Sequence, residues 1–327
     1  DKCPEEGFNI LSGILGSLAG VIGLIVYVRI TLSDAGSQDT ADGARSIGLS
    51  YVQVLALLAT FPIAWPAIFV ALFQVGGAVT VMGTHLVNQK CLSPELSEAA
   101  VFYRTRLMWA ALPPVLSLAC AASWCALQKV SPKTWKPKMR ASVVALLYLV
   151  WPGMCSEVFA LFACREVCGE MRLRADLNEV CFEGRHAAFA FGLGVPMLLL
   201  YILGLPAAAL FMVFRQHRRA VERGKTMHEL KGHLTFGLFY SAFRPEAWWW
   251  EATVAVRKIS IAAIGVFGGA MQTMQVHLTM LMVGINIVLT ASARPYGDHQ
   301  GLQRLEQGLL GCTCLTLWAG SVFNTHP

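Results

Sequence analysis

Eight apolar stretches, each near the ~20 residues a helix needs to cross a bilayer, constrain this chain more than any other feature. They run Phe8–Ile30, Leu49–Phe73, Leu107–Leu127, Ala141–Ala163, Ala187–Phe214, Ala252–Ala270, Val276–Ala293 and Leu305–Phe323. Only Gly268-Gly269-Ala270-Met271-Gln272-Thr273 separates the sixth from the seventh, so seven spans is the alternative count. The expected fold is an all-α polytopic transmembrane bundle of seven or eight spans. Residues 1–7 read as the end of an extracellular Cys-containing module and 324–327 as a cut end, a fragment of a longer protein. The stretch Thr31–Ser46 reads as a plain polar connector.

Charge supports the class and orients it. Only 14% of the 327 residues are charged, against about 25% in a soluble domain. The segment 128–140 holds Lys129, Lys133, Lys136, Lys138 and Arg140 with no acid, and 215–250 is similarly basic. In the intervening loop Arg165, Arg172, Arg174 and Arg185 are matched by Glu166, Glu170, Asp176, Glu179 and Glu183. Cytosolic loops collect Lys and Arg, which predicts basic loops inside and the N-terminus outside, in a plasma or ciliary membrane. Arg215, Arg218, Arg219, Arg223 and Lys225 are candidate contacts for anionic headgroups of the inner leaflet.

The ten cysteines follow the same division. Cys3, Cys91, Cys164, Cys168 and Cys181 fall in segments placed outside, where disulfides form. Cys164 with Cys181 is the first pairing to consider, and Cys91 with Cys3 or Cys168 the next. A Cys₃His zinc site from Cys164, Cys168, Cys181 and His186 is the rival; an oxidising location favours disulfides. No metal or cofactor is expected.

Charges inside apolar stretches are costly and mark functional candidates. Glu157 lies in the fourth stretch, where it lines an outer vestibule, binds a cation or bonds a neighbouring helix. Glu251, Arg257 and Lys258 open the sixth; either Arg257 and Lys258 snorkel to the interface while Glu251 pairs with a neighbouring Lys or Arg, or they take part in gating or an ion path. Trp248, Trp249 and Trp250 precede them as an interfacial aromatic belt. Pro62, Pro66, Pro113, Pro114, Pro196 and Pro206 predict kinks or breaks. No HExxH, GxSxG or paired catalytic carboxylates occur, so no enzyme is expected, and nucleic acid is not an expected partner.

Several segments, taken in order, resemble one group of proteins. They are Gln53 with Trp65-Pro66, Cys91, the run FACREVCGEMRLRADLNEVC with Cys164, Asp176 and Cys181, the run FGLFYSAFRPEAWWWEATVAVRK, and Arg294-Pro295-Tyr296. Together they resemble the transient-receptor-potential-like, or polycystin-like, membrane proteins of algae and other protists. The resemblance runs from about residue 8 to residue 323. It implies a membrane region that follows a long Cys-rich ectodomain in the same chain. The function it implies is a cation channel or channel subunit, with a homo- or hetero-oligomer or filament as partner. The alternative is a membrane anchor for a long cell-surface or flagellar protein with no conductance of its own. Cys168 is an extra cysteine relative to that pattern.

Overall fold

A computed structural model describes residues 6–33, 40–79, 97–128, 135–225, 227 and 233–325. Helices dominate them: α1 (Glu6–Ser33), α2 (Thr40–Leu58), α3 (Ala67–Val79), α4 (Glu98–Leu127), α5 (Trp135–Ala160) and α6 (Gly184–Glu222). After a segment of short helical turns come α7 (Trp250–Phe267), α8 (Gln272–Ala293) and α9 (Gln300–Thr325). The fold is all-α with one small exception. Strands β1 (Cys164–Val167), β2 (Glu170–Leu173) and β3 (Asp176–Val180) form an antiparallel sheet between α5 and α6.

Among the described residues, α4, α5, α6 and the α8 segment Thr273–Ala293 are long and apolar enough to cross a membrane. That is four, not the seven or eight expected. Helix α3 has only 13 residues, α7 carries Glu251, Arg257 and Lys258 within 18 residues, and α2 opens on polar turns with Asp42 and Arg45.

The second apolar stretch is not one helix. After Leu58 the chain turns through 59–66 and resumes at Ala67, around Pro62 and Pro66. A proline supplies no N–H and clashes with the carbonyl four residues back. The Thr60 hydroxyl donates to the Leu57 carbonyl at 2.7 Å and satisfies one of the groups freed there. Helix α4 continues through Pro113 and Pro114, and α5 likewise continues through Pro152. Helix α6 absorbs Pro206 differently, with wider π-type winding over Leu198–Leu203 just before it. There the Leu199 carbonyl comes so close to Gly204 that a Cβ would lie 2.9 Å away. The connector is also shorter than expected, because helix α2 already starts at Thr40.

The core gathers Leu57 and Leu58 of α2, Val150, Met154 and Val158 of α5, Ile261 of α7, Val283 of α8 and Leu317 of α9. Gln53, fully buried on α2, donates to the Tyr148 and Leu149 carbonyls of α5, both at 3.2 Å.

At one end of the bundle the sheet locks helix termini together. Cys168 and Gly169 both take positive φ and form the two-residue turn joining β1 to β2, the geometry a tight hairpin prefers. Cys164 and Cys181 are disulfide-bonded, and Cys168 is exposed at the turn. Asp176 accepts the Ala99 N–H at 3.1 Å and so occupies a free donor at the start of α4. Arg174 reaches across to the Val266 carbonyl near the end of α7, at 2.8 Å. Its guanidinium packs directly over Gly269 in the turn that follows α7. Cys3 and Cys91 lie outside the described residues.

The bridge closes a loop of 17 residues of sequence separation, for which chain entropy alone gives about 3 kcal/mol. Cys164→Ala together with Cys181→Ala is expected to lower stability by about that much. Thermal unfolding of the detergent-solubilised protein, with and without reductant, checks it: reductant lowers the melting temperature of the natural protein by more than that of the double variant.

Candidate functional site

Helix α7 concentrates the chemistry of the bundle. Glu251, Arg257 and Lys258 lie within its first nine residues, and Lys258 and Arg257 are 1% and 4% exposed. Snorkelling to an interface is therefore not what these side chains do. Lys258 and Glu251 meet on Tyr148 of α5: its hydroxyl donates to Glu251 Oε1 at 2.9 Å and accepts from Lys258 Nζ at 3.0 Å. The Lys258 ammonium also lies 4.5 Å from the centre of the Tyr148 ring, an attraction that strengthens where water is excluded.

One residue along, Arg257 points to a different set of helices. Its Nη1 donates to Glu306 Oε1 of α9 at 2.7 Å, and its Nη2 to the Ser50 hydroxyl of α2 at 3.2 Å. The second oxygen of Glu306 accepts from the Tyr296 hydroxyl at 2.8 Å. Tyr296 sits in the turn between α8 and α9, where burial, followed by the neighbouring Glu306 carboxylate, raises its pKa well above the usual phenol range. It therefore serves as a donor. Glu306 is itself 3% exposed.

Glu157 of α5 reaches a neighbouring helix. It forms an ion pair with Arg106 of α4, whose guanidinium also lies 4.3 Å from the centre of the Phe102 ring. The site thus contains two carboxylate–arginine pairs and a Glu–Tyr–Lys chain, which together join α2, α4, α5, α7 and α9. A charge in a low-dielectric interior is tolerated only when paired and hydrogen-bonded.

Reading single stretches finds Glu157, Glu251, Arg257 and Lys258 but misses Arg106, Tyr148, Ser50, Tyr296 and Glu306. Arg106 and Glu306 lie at the very edge of their apolar stretches, where a charge normally meets water. Tyr148 raises no charge signal at all.

The other expected residues separate. Trp249 is exposed, whereas Trp250 is 2% exposed, packed with Ala247 and Val254, and Trp248 stacks on His217 at 5.5 Å. Trp249 is thus the most exposed of the three and Trp250 the least. Arg215, Arg218 and Arg219 lie on the last turns of α6, and Arg223 and Lys225 follow in the turn; all five are exposed.

Cys164, Cys181 and His186 cluster within 4.8 Å, but the two sulfurs are bonded to each other and Cys168 stands apart at the hairpin. His186 Nδ1 accepts the Phe182 N–H at 2.7 Å. The ring proton then lies on Nε2, directed at the Leu161 carbonyl 2.9 Å away. Every ligand atom of the expected zinc alternative except Cys168 Sγ is already engaged.

Compared with known protein families, curated proteins and solved structures, the chain matches none.

Removing the Tyr148 hydroxyl leaves Glu251 and Lys258 without their bridge, a loss of about 1–3 kcal/mol for buried polar groups. Tyr148→Phe is expected to lower the unfolding temperature in detergent markedly more than Tyr201→Phe, whose hydroxyl makes one 3.2 Å bond to the Ala110 carbonyl. Equal shifts would remove the bridge from the account.

Proposed function

We propose that this chain is the membrane region of a channel-like protein, a transient-receptor-potential-like cation channel or a subunit of one. In this reading α1 also crosses the bilayer, and beside the four apolar helices so do α2, α7 and α9. Their charges are kept out of the lipid by facing one another. The basic end is cytosolic and the disulfide-bonded sheet is extracellular.

The observation that carries the reading is the charge network on α7. A bundle that only tethers an ectodomain has no need of buried ions, which cost stability compared with apolar packing. Intramembrane ionisable groups that pair across helices mark ion paths and gating elements. Glu157 and Glu251 are both engaged, so the reading assigns them to gating contacts rather than to an open filter. The interruption between α2 and α3 and the wide winding in α6 give the bundle places to bend.

Reconstituted protein is expected to pass cations in proteoliposome flux or planar-bilayer recording under tension, calcium or ligand. Lys258→Met, which leaves Glu251 uncompensated, is expected to change the open fraction. Protein that is folded yet silent under all three stimuli contradicts the channel reading and favours the membrane anchor.

Orientation has its own test. A membrane-impermeant maleimide applied to intact cells is expected to label Cys168, with the signal falling in Cys168→Ala. Labelling of Cys168 only after lysis reverses the orientation.

A further inference from the structure

Helices α5 and α6 touch near the middle of the bundle, where Trp151 Nε1 donates to the Tyr201 carbonyl at 3.1 Å. Toward the basic end they part and leave a cavity of about 250 Å³. Leu147 lines it from α5, Leu205 and Ala209 from α6, and Ala255 from α7, with Phe239 and Trp248 closing the basic end. Tyr148, Glu251 and Lys258 form its one polar wall and are already bonded to each other.

Water gains few hydrogen bonds in such a space, and an empty cavity costs stability in proportion to its volume. An acyl chain satisfies both conditions. The cavity lies beside partly exposed side chains of α6, Leu210 and Met212, so a chain can enter sideways. Arg140 is four residues before Val144 on α5, and Arg215 three residues after Met212 on α6. At those spacings each arginine shares a helix face with a cavity-lining residue, and both are exposed at the basic end.

We propose that this cavity binds one acyl chain of an anionic phospholipid, with the phosphate held between Arg140 and Arg215. The bound chain excludes water from the Tyr148, Glu251 and Lys258 contacts and so strengthens them. The proposal requires the bundle to be embedded in a membrane but not that it conducts.

The test uses the full chain in nanodiscs of phosphatidylcholine and phosphatidylglycerol, moved into detergent and weighed by native mass spectrometry. One phosphatidylglycerol retained per chain is expected. Ala255→Phe and Ala209→Phe fill the cavity from opposite walls, and each is expected to abolish the retained lipid; the second stands if the first fails to fold. Arg140→Gln with Arg215→Gln is expected to remove the preference for the anionic lipid. Retention unchanged in both filled variants overturns the site. No retained lipid in the natural protein, or phosphatidylcholine retained as readily, overturns the proposal as well. A silent flux assay with lipid retained leaves the lipid site standing and counts against the channel alone.

Discussion

The Arg257–Glu306 pair sets the terms for the rest of the bundle. Two opposite charges 3–4% exposed on different helices are stable only if α7 and α9 stay close enough to keep the ions in contact. Ser50 brings α2 to the same point, and Tyr296 brings in the turn from α8. One residue later on α7, Lys258 points to α5 and meets Glu251 through Tyr148. Consecutive helical residues point about 100° apart, so two adjacent cations reach helices on two sides. Helix α7 thus bonds through its charges to α2, α5 and α9 at once.

The opposite end is organised by covalent and hydrogen-bonded constraints. The Cys164–Cys181 bridge closes the sheet on itself, and the Asp176 contact with the start of α4 and the Arg174 contact with the end of α7 tie it to two helices. The basic end is held instead by the side-chain contacts of α7, and there α5 and α6 diverge. That is where the cavity forms and where the exposed arginines gather.

Much of this was legible in the sequence, and the failures share a cause. Apolar stretch lengths located most helices, and the Gly268–Thr273 turn falls where expected. The bridge between Cys164 and Cys181 was legible because both partners border one loop. Proline gave mixed results: Pro62 and Pro66 end a helix, while Pro113, Pro114 and Pro152 sit within continuous ones. A lost hydrogen bond and a ring clash can be absorbed by neighbouring packing, which no local pattern records. The charge partners were hidden for the same reason. Arg257 and Glu306 are 49 positions apart, and Tyr148 and Glu251 are 103 apart. A stretch-by-stretch reading prices each charge alone and so favours escape to the interface. Only the packed bundle shows that the cost is met from another helix.

The central claim is that opposite charges on α7 and α9 stabilise the bundle jointly and not as independent side chains. A double-mutant cycle on Arg257→Met and Glu306→Leu, read as unfolding free energy in detergent, measures it directly. Each single change strands one buried charge and is expected to cost about 3–5 kcal/mol, while the double change removes both and recovers most of the loss. Single-variant losses that simply add in the double variant would contradict the account.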